Sequence, residues 1–161
     1  MNAIPSISRR ALLGAVLAAA SLPLAAGTGE VRHGDLVIRA ARVAATVKGQ
    51  KATGAFMEIE NRGGEAEVLL GADSPVAKMV QIHRTEFENG IARMHPAGRV
   101  AIPAGGRVVL ARGGLHVMLM GLTRPLAPGE TVPLTLRFAR AGAVTLRVSV
   151  VAVRAAGAGG S

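Results

Sequence analysis

The chain of 161 residues contains no cysteine. Disulfide cross-links, thiolate metal sites and thiol nucleophiles are therefore excluded. Tryptophan and tyrosine are absent too, and only three phenylalanines occur. The core must then rest on Val, Leu, Ile, Ala and Met, and there is almost no aromatic surface for stacking nucleic-acid bases. Acidic residues are sparse: ten, against 19 lysines and arginines, for a formal charge of +9. The basic residues are mostly Arg and are scattered rather than gathered in a run. They read as a solvated surface that favours an acidic partner, not as a nucleic-acid stripe. No activated nucleophile, supported carboxylate dyad or Gly-rich phosphate loop is visible, so no enzyme activity is expected. Glu86 and Glu88 sit beside a turn and read as solvated.

Long apolar runs are also missing, except at the start. Arg9 and Arg10 precede an apolar run from Ala11 to about Leu24, too short for a span of about 20 residues, and small residues follow at Ala25, Ala26 and Gly27. That order predicts an export signal over residues 1–27, cleaved near Ala26 or Gly27. Ser8-Arg9-Arg10-Ala11-Leu12-Leu13 resembles a twin-arginine motif, with Leu12 for the usual Phe and Gly14 for the usual Lys. Cleavage removes two arginines and no acids, leaving a formal charge of about +7 on a periplasmic protein with no stable membrane insertion. Residues 28–154 are expected to form one domain, and the Gly-rich residues 155–161 a flexible tail.

From Leu36 onward, short β-branched runs alternate with Gly, Pro and Asn. The runs are Leu36–Ala41, Gly54–Asn61, Ala66–Ala72, Met79–Phe87, Ile91–Met94, Val100–Ile102, Val108–Ala111, Leu115–Leu119, Thr131–Phe138 and Val144–Val153. Turn signals separate them, among them Asn89-Gly90, Gly113-Gly114 and Pro128-Gly129. No long segment of the domain has a 3.6-residue period. The pattern predicts an all-β, antiparallel sandwich or barrel. Within Thr131–Phe138, apolar Val132, Leu134, Leu136 and Phe138 share one parity, as expected of a sheet with one buried face.

Histidine and methionine are few, and four of them form a pattern: His83, ten residues, Met94, twenty-one residues, His116, one residue, Met118. Asn89-Gly90 between two β-like runs predicts a two-residue hairpin turn. Glu88 then opposes Ile91, Thr85 opposes Met94 and His83 opposes Pro96, so His83 and Met94 share a face as diagonal neighbours roughly 7–8 Å apart. The same count sets His95 against Arg84, on the other face. In Leu115–Met120, alternation places His116, Met118 and Met120 on one face and Val117 and Leu119 on the other. Two such pairs brought together make a His₂Met₂ cluster. Thioethers are soft and uncharged, so this set favours one copper(I) ion per chain over zinc, which would want more imidazole or carboxylate. Met57 and Met79 are expected in the core, Met120 in core or wall, and His33 on the surface without a ligand. Ligation requires neutral imidazoles, so affinity should fall below pH of about 6.5.

This spacing resembles the motif of the periplasmic copper chaperones of the PCuAC type: His, ten residues, Met, twenty-one residues, His, any residue, Met. All four positions match without adjustment, and MVQIHRTEFENGIARMHP, IPAGGRVVLARGGLHVMLMGL and PLAPGETVPLTLRFARAGAVTLRVSV resemble the family's strands and turns. The resemblance spans roughly residues 31–153. It implies a cupredoxin-like β-sandwich whose surface-near site holds copper(I), with His83, Met94, His116 and Met118 at the positions of the family's motif. It further implies that the protein carries copper to the CuA-bearing subunit of cytochrome c oxidase, alone or with a Sco-type thiol protein; separately, the chain is expected to be a monomer. A periplasmic copper scavenger for tolerance, or a metal-free interaction module, are the alternatives. The chain departs from the family around Arg39–Ala41, where an aromatic and an acid are replaced. Its last residues, Val153–Ser161, lack the His and Met of the copper(II)-binding tails of some relatives, so no second site of that kind is expected.

Overall fold

A computed structural model describes residues 29–153, and the expected signal and tail lie outside them. Eleven strands occur in the described residues, without a helix: β1 (Val31–His33), β2 (Leu36–Ala44), β3 (Ala52–Asn61), β4 (Glu67–Asp73), β5 (Ala77–Glu88), β6 (Ile91–Pro96), β7 (Val100–Ile102), β8 (Arg107–Leu110), β9 (Leu115–Leu122), β10 (Thr131–Phe138) and β11 (Gly142–Val151). All ten expected strands are present. The additional β1 is three exposed residues paired with β2, too short to show alternation.

The strands form one open path, β6-β5-β9-β3-β2-β11-β10-β4-β7, with β8 added beside β3. Every pairing is antiparallel but one. β11 runs parallel to β2, with Ser149, Val150 and Val151 against Arg42, Val43 and Ala44. This makes the sheet mixed, and no local turn signal encodes such a pairing because the strands are distant in sequence.

The inner faces meet in a single, mostly aliphatic core. Val132, Leu134, Leu136 and Phe138 of β10 are buried, as their parity requires, together with Ile38, Ile59, Leu119, Leu146 and Val148 from four neighbouring strands. Met57 is 2% exposed and belongs to this core. Arg39–Ala41, the stretch that departs from the resembled family, is a bulge. The β2–β3 register shifts between Arg39 and Arg42, and Ala40 takes φ 51°. The extra residue turns Arg42 outward, over the Phe56 ring at 5.7 Å.

Candidate metal centre

The β5–β6 hairpin forms as its turn residues dictate. Asn89 and Gly90 have φ 50° and 78°, the two positive values of a type I′ turn. The register follows: Thr85 faces Met94, His83 faces Pro96 and Arg84 faces His95. His83 and Met94 are thus diagonal neighbours on one face, and His95 is on the other.

The other edge of β5 pairs with β9, and here the two halves of the motif meet. His83 directly opposes His116, and Gln81 opposes Met118. Their ring centroids are 6.1 Å apart at 58°. His83 is therefore the hub of the patch. His116 lies straight across, Met118 on one diagonal and Met94 on the other. Met94 is 56% exposed on a strand that is exposed throughout, whereas His116 is 5% exposed. The site thus has a deep imidazole end and an open thioether edge.

Hydrogen bonds set which ring nitrogens are free. His83 Nε2 lies 3.1 Å from Gln81 Oε1, which can only accept, so Nε2 carries the hydrogen. Nδ1 keeps the lone pair, and it is buried with no hydrogen-bond partner. His116 Nδ1 donates to the Gly114 carbonyl at 3.1 Å, leaving Nε2 as its lone-pair nitrogen. A buried, unpaired acceptor costs about 1–3 kcal/mol, and a metal ion is one partner that would satisfy it. Burial, and secondly the nearby His116, lower the His83 pKa from its ordinary value of 6.5. Its imidazole stays neutral, the form a metal needs, into mildly acid solution.

Phe56 walls the site on the β3 side. Its ring lies 6.4 Å from that of His116, and it gets there by lying across Gly54. A Cβ on Gly54 would stand 2.8 Å from the Phe56 ring, so only glycine leaves it that room. A cavity of about 270 Å³ opens beside His116 and Met118, with Gln50, Thr53, Phe56 and Arg112 on its walls.

The expected core placement of Met79 is wrong: it is 53% exposed on the outer face of β5, opposite Met120. The β5 parity puts Ile82 in the core, and Met79, three residues away, on the other side. His33 is exposed, with Nε2 3.1 Å from the Ala141 carbonyl. Sequence reasoning missed Gln81 and Phe56. Gln81 shares parity with His83, but its place beside Met118 requires the β5–β9 pairing, which joins strands distant in sequence.

Residues 36–150 match the family described as "Putative lipoprotein LpqE-like". A relative described as "Putative lipoprotein Lxx21020", from Leifsonia xyli subsp. xyli, is 36% identical over 128 residues, covering 79% of this chain and 76% of its own. Among solved structures, the copper-bound PCuAC domain from PmoF2 is 26% identical with a TM-score of 0.66, covering 78% of this chain and 99% of that one. The copper(I) form of DR1885 from Deinococcus radiodurans is 37% identical with a TM-score of 0.58, covering 69% of this chain and 74% of that one. On the family match, the curated relative and the shared architecture together, this chain belongs to the LpqE-like family and carries a domain of the PCuAC type.

Proposed function

We propose that the protein is an exported copper(I) metallochaperone, not an enzyme. It holds one ion between His83, Met94, His116 and Met118 and passes it to the CuA-bearing subunit of cytochrome c oxidase, directly or through a Sco-type thiol protein. The observation that carries this reading is the His83–His116 pair, with Nδ1 of one ring and Nε2 of the other left free and a methionine on each diagonal. Two imidazoles and two thioethers make a neutral shell suited to a singly charged soft ion. The structural relatives named for bound copper support the same cargo.

Transfer requires an accessible ligand, and Met94 supplies it. A partner ligand would displace the exposed thioether first, while the half-enclosed imidazoles keep the ion from escaping to water. Arg42 and Arg112 flank the site and suit an acidic docking surface. The family's description supports export. The 161 residues contain no cysteine to bear an acyl chain, so acylation within them has no part in this reading.

Anaerobic titration with copper(I) against a competing chelator, followed by mixing with an apo-CuA domain and, separately, with a reduced Sco-type protein, tests both parts. Uptake of one equivalent and its movement to the CuA domain or to the Sco-type protein are expected. Failure to take up copper(I) would overturn the whole reading, and uptake without movement to either acceptor would overturn delivery.

A further inference from the structure

The imidazole pair is the end of a longer ladder. On the outer face of β5 and β9, His83 opposes His116, Gln81 opposes Met118 and Met79 opposes Met120. Met118 and Met120 are two residues apart on one strand, so all three thioethers project from the same side of the sheet. Directly opposed positions bring Met79 and Met120 within about 5 Å at Cβ, and Met118 is the diagonal neighbour of Met79, roughly 7–8 Å away. On the β3 side, the Phe56 ring covers Gly54 opposite Met118, whereas small Ala52 opposes Met120 and leaves room for the sulfurs at the Met79–Met120 end. Met79 is 53% exposed, a poor place for a packing residue.

We infer that Met79, Met118 and Met120 form a second, weaker copper(I) seat that works as a relay to the imidazole pair. The inference rests on the proposed function above. Three thioethers are a neutral, soft set that takes copper(I) and rejects zinc, calcium and magnesium. Met118 belongs to both seats, so the chain carries one ion at a time. Met94 remains the edge at which a docked partner takes the ion; small chelators and incoming copper(I) exchange at Met79 and Met120, and Met118 swings to carry the ion between them and the His83–His116 pair. Copper remains copper(I) throughout. Only ligands exchange, and no electron is needed.

The test uses the domain with ¹³C-labelled methionine methyl groups, under anaerobic titration with copper(I) supplied as its acetonitrile complex. In His83→Ala/His116→Ala, copper(I) is expected to bind about a hundredfold more weakly than in the wild type and to shift the methyls of Met79, Met118 and Met120. Adding Met79→Leu/Met120→Leu should weaken that residual binding a further tenfold or more. In the presence of both imidazoles, Met79→Leu/Met120→Leu should slow copper(I) release to a chelator about fivefold. Stationary Met79 and Met120 methyls, or an unchanged release rate, would overturn the relay while leaving the imidazole seat intact. If the wild type takes up no copper(I), or the loss of both imidazoles changes nothing, the proposed function itself fails.

Discussion

At His83, a single amide decides how the site works. Gln81 Oε1 fixes the hydrogen on Nε2, so the ring presents Nδ1. Replacing Gln81 by Leu removes that acceptor and lets the ring flip or change tautomer. Copper(I) affinity should fall about tenfold or more, as for other residues that orient a metal-binding histidine, whereas the fold should hold. Competition titration of Gln81→Leu measures it, and an unchanged affinity would remove Gln81 from the site. His83 of the metal-free protein should also titrate below 6.5, because burial and then His116 disfavour its charged form. Imidazole NMR across that range gives the value, and a midpoint above 6.5 would mean that the ring is not desolvated.

The hairpin of β5 and β6 shows what local sequence can specify. Asn89-Gly90 fixed all six opposed pairs from Glu88–Ile91 to His83–Pro96, and with them the choice of Met94 over His95. Parity alone placed His116 and Met118 on one face. Neither argument could bring the two halves together, because the β5–β9 ladder is closed by the global fold rather than by a turn. The parallel β2–β11 pairing was hidden for the same reason, whereas the outward side of Met79 was legible in the parity it shares with His83. Since β6 is exposed throughout, the turn and the ladder to β5 hold Met94 in place. Gly90→Val puts a β-branched residue at φ 78° and should cost about 1–2 kcal/mol locally. Hydrogen exchange in residues 91–96 should rise and copper(I) affinity should drop, while the His83–His116 pair remains folded. Unchanged exchange would show that the hairpin does not depend on this turn.

Across the whole molecule, carboxylates tie the sheet ends together and set its response to acid. Glu67 is buried at the start of β4. It accepts backbone N–H bonds from Val68, Arg140 and Ala141 at 2.8, 3.0 and 2.8 Å, which pins the β10–β11 turn to β4. Its burial alone would raise its pKa, but those amides outweigh burial and lower it. Half-buried Glu60 is lowered to about 2 by hydrogen bonds from Arg62 and then Arg39. Both groups bind protons less readily folded than unfolded. Their contribution is present above the ordinary value of 4.5 and is lost as pH falls through the folded value. Thermal stability should therefore decline from about pH 4.5 towards 2, and Glu67→Gln should flatten part of that decline. Glu60→Gln should matter less, because Glu60 and its arginine partners are all partly open to water, which screens the pairs. A melting temperature independent of pH across this window would contradict the assignment.

The decisive measurement is X-ray absorption at the copper edge of the copper(I)-loaded domain, for the wild type and for Met94→Leu. Two nitrogen and two sulfur neighbours are expected, with one sulfur lost in the variant. A shell made only of nitrogen and oxygen, or one that Met94→Leu does not alter, would contradict the claim that these four side chains hold the ion.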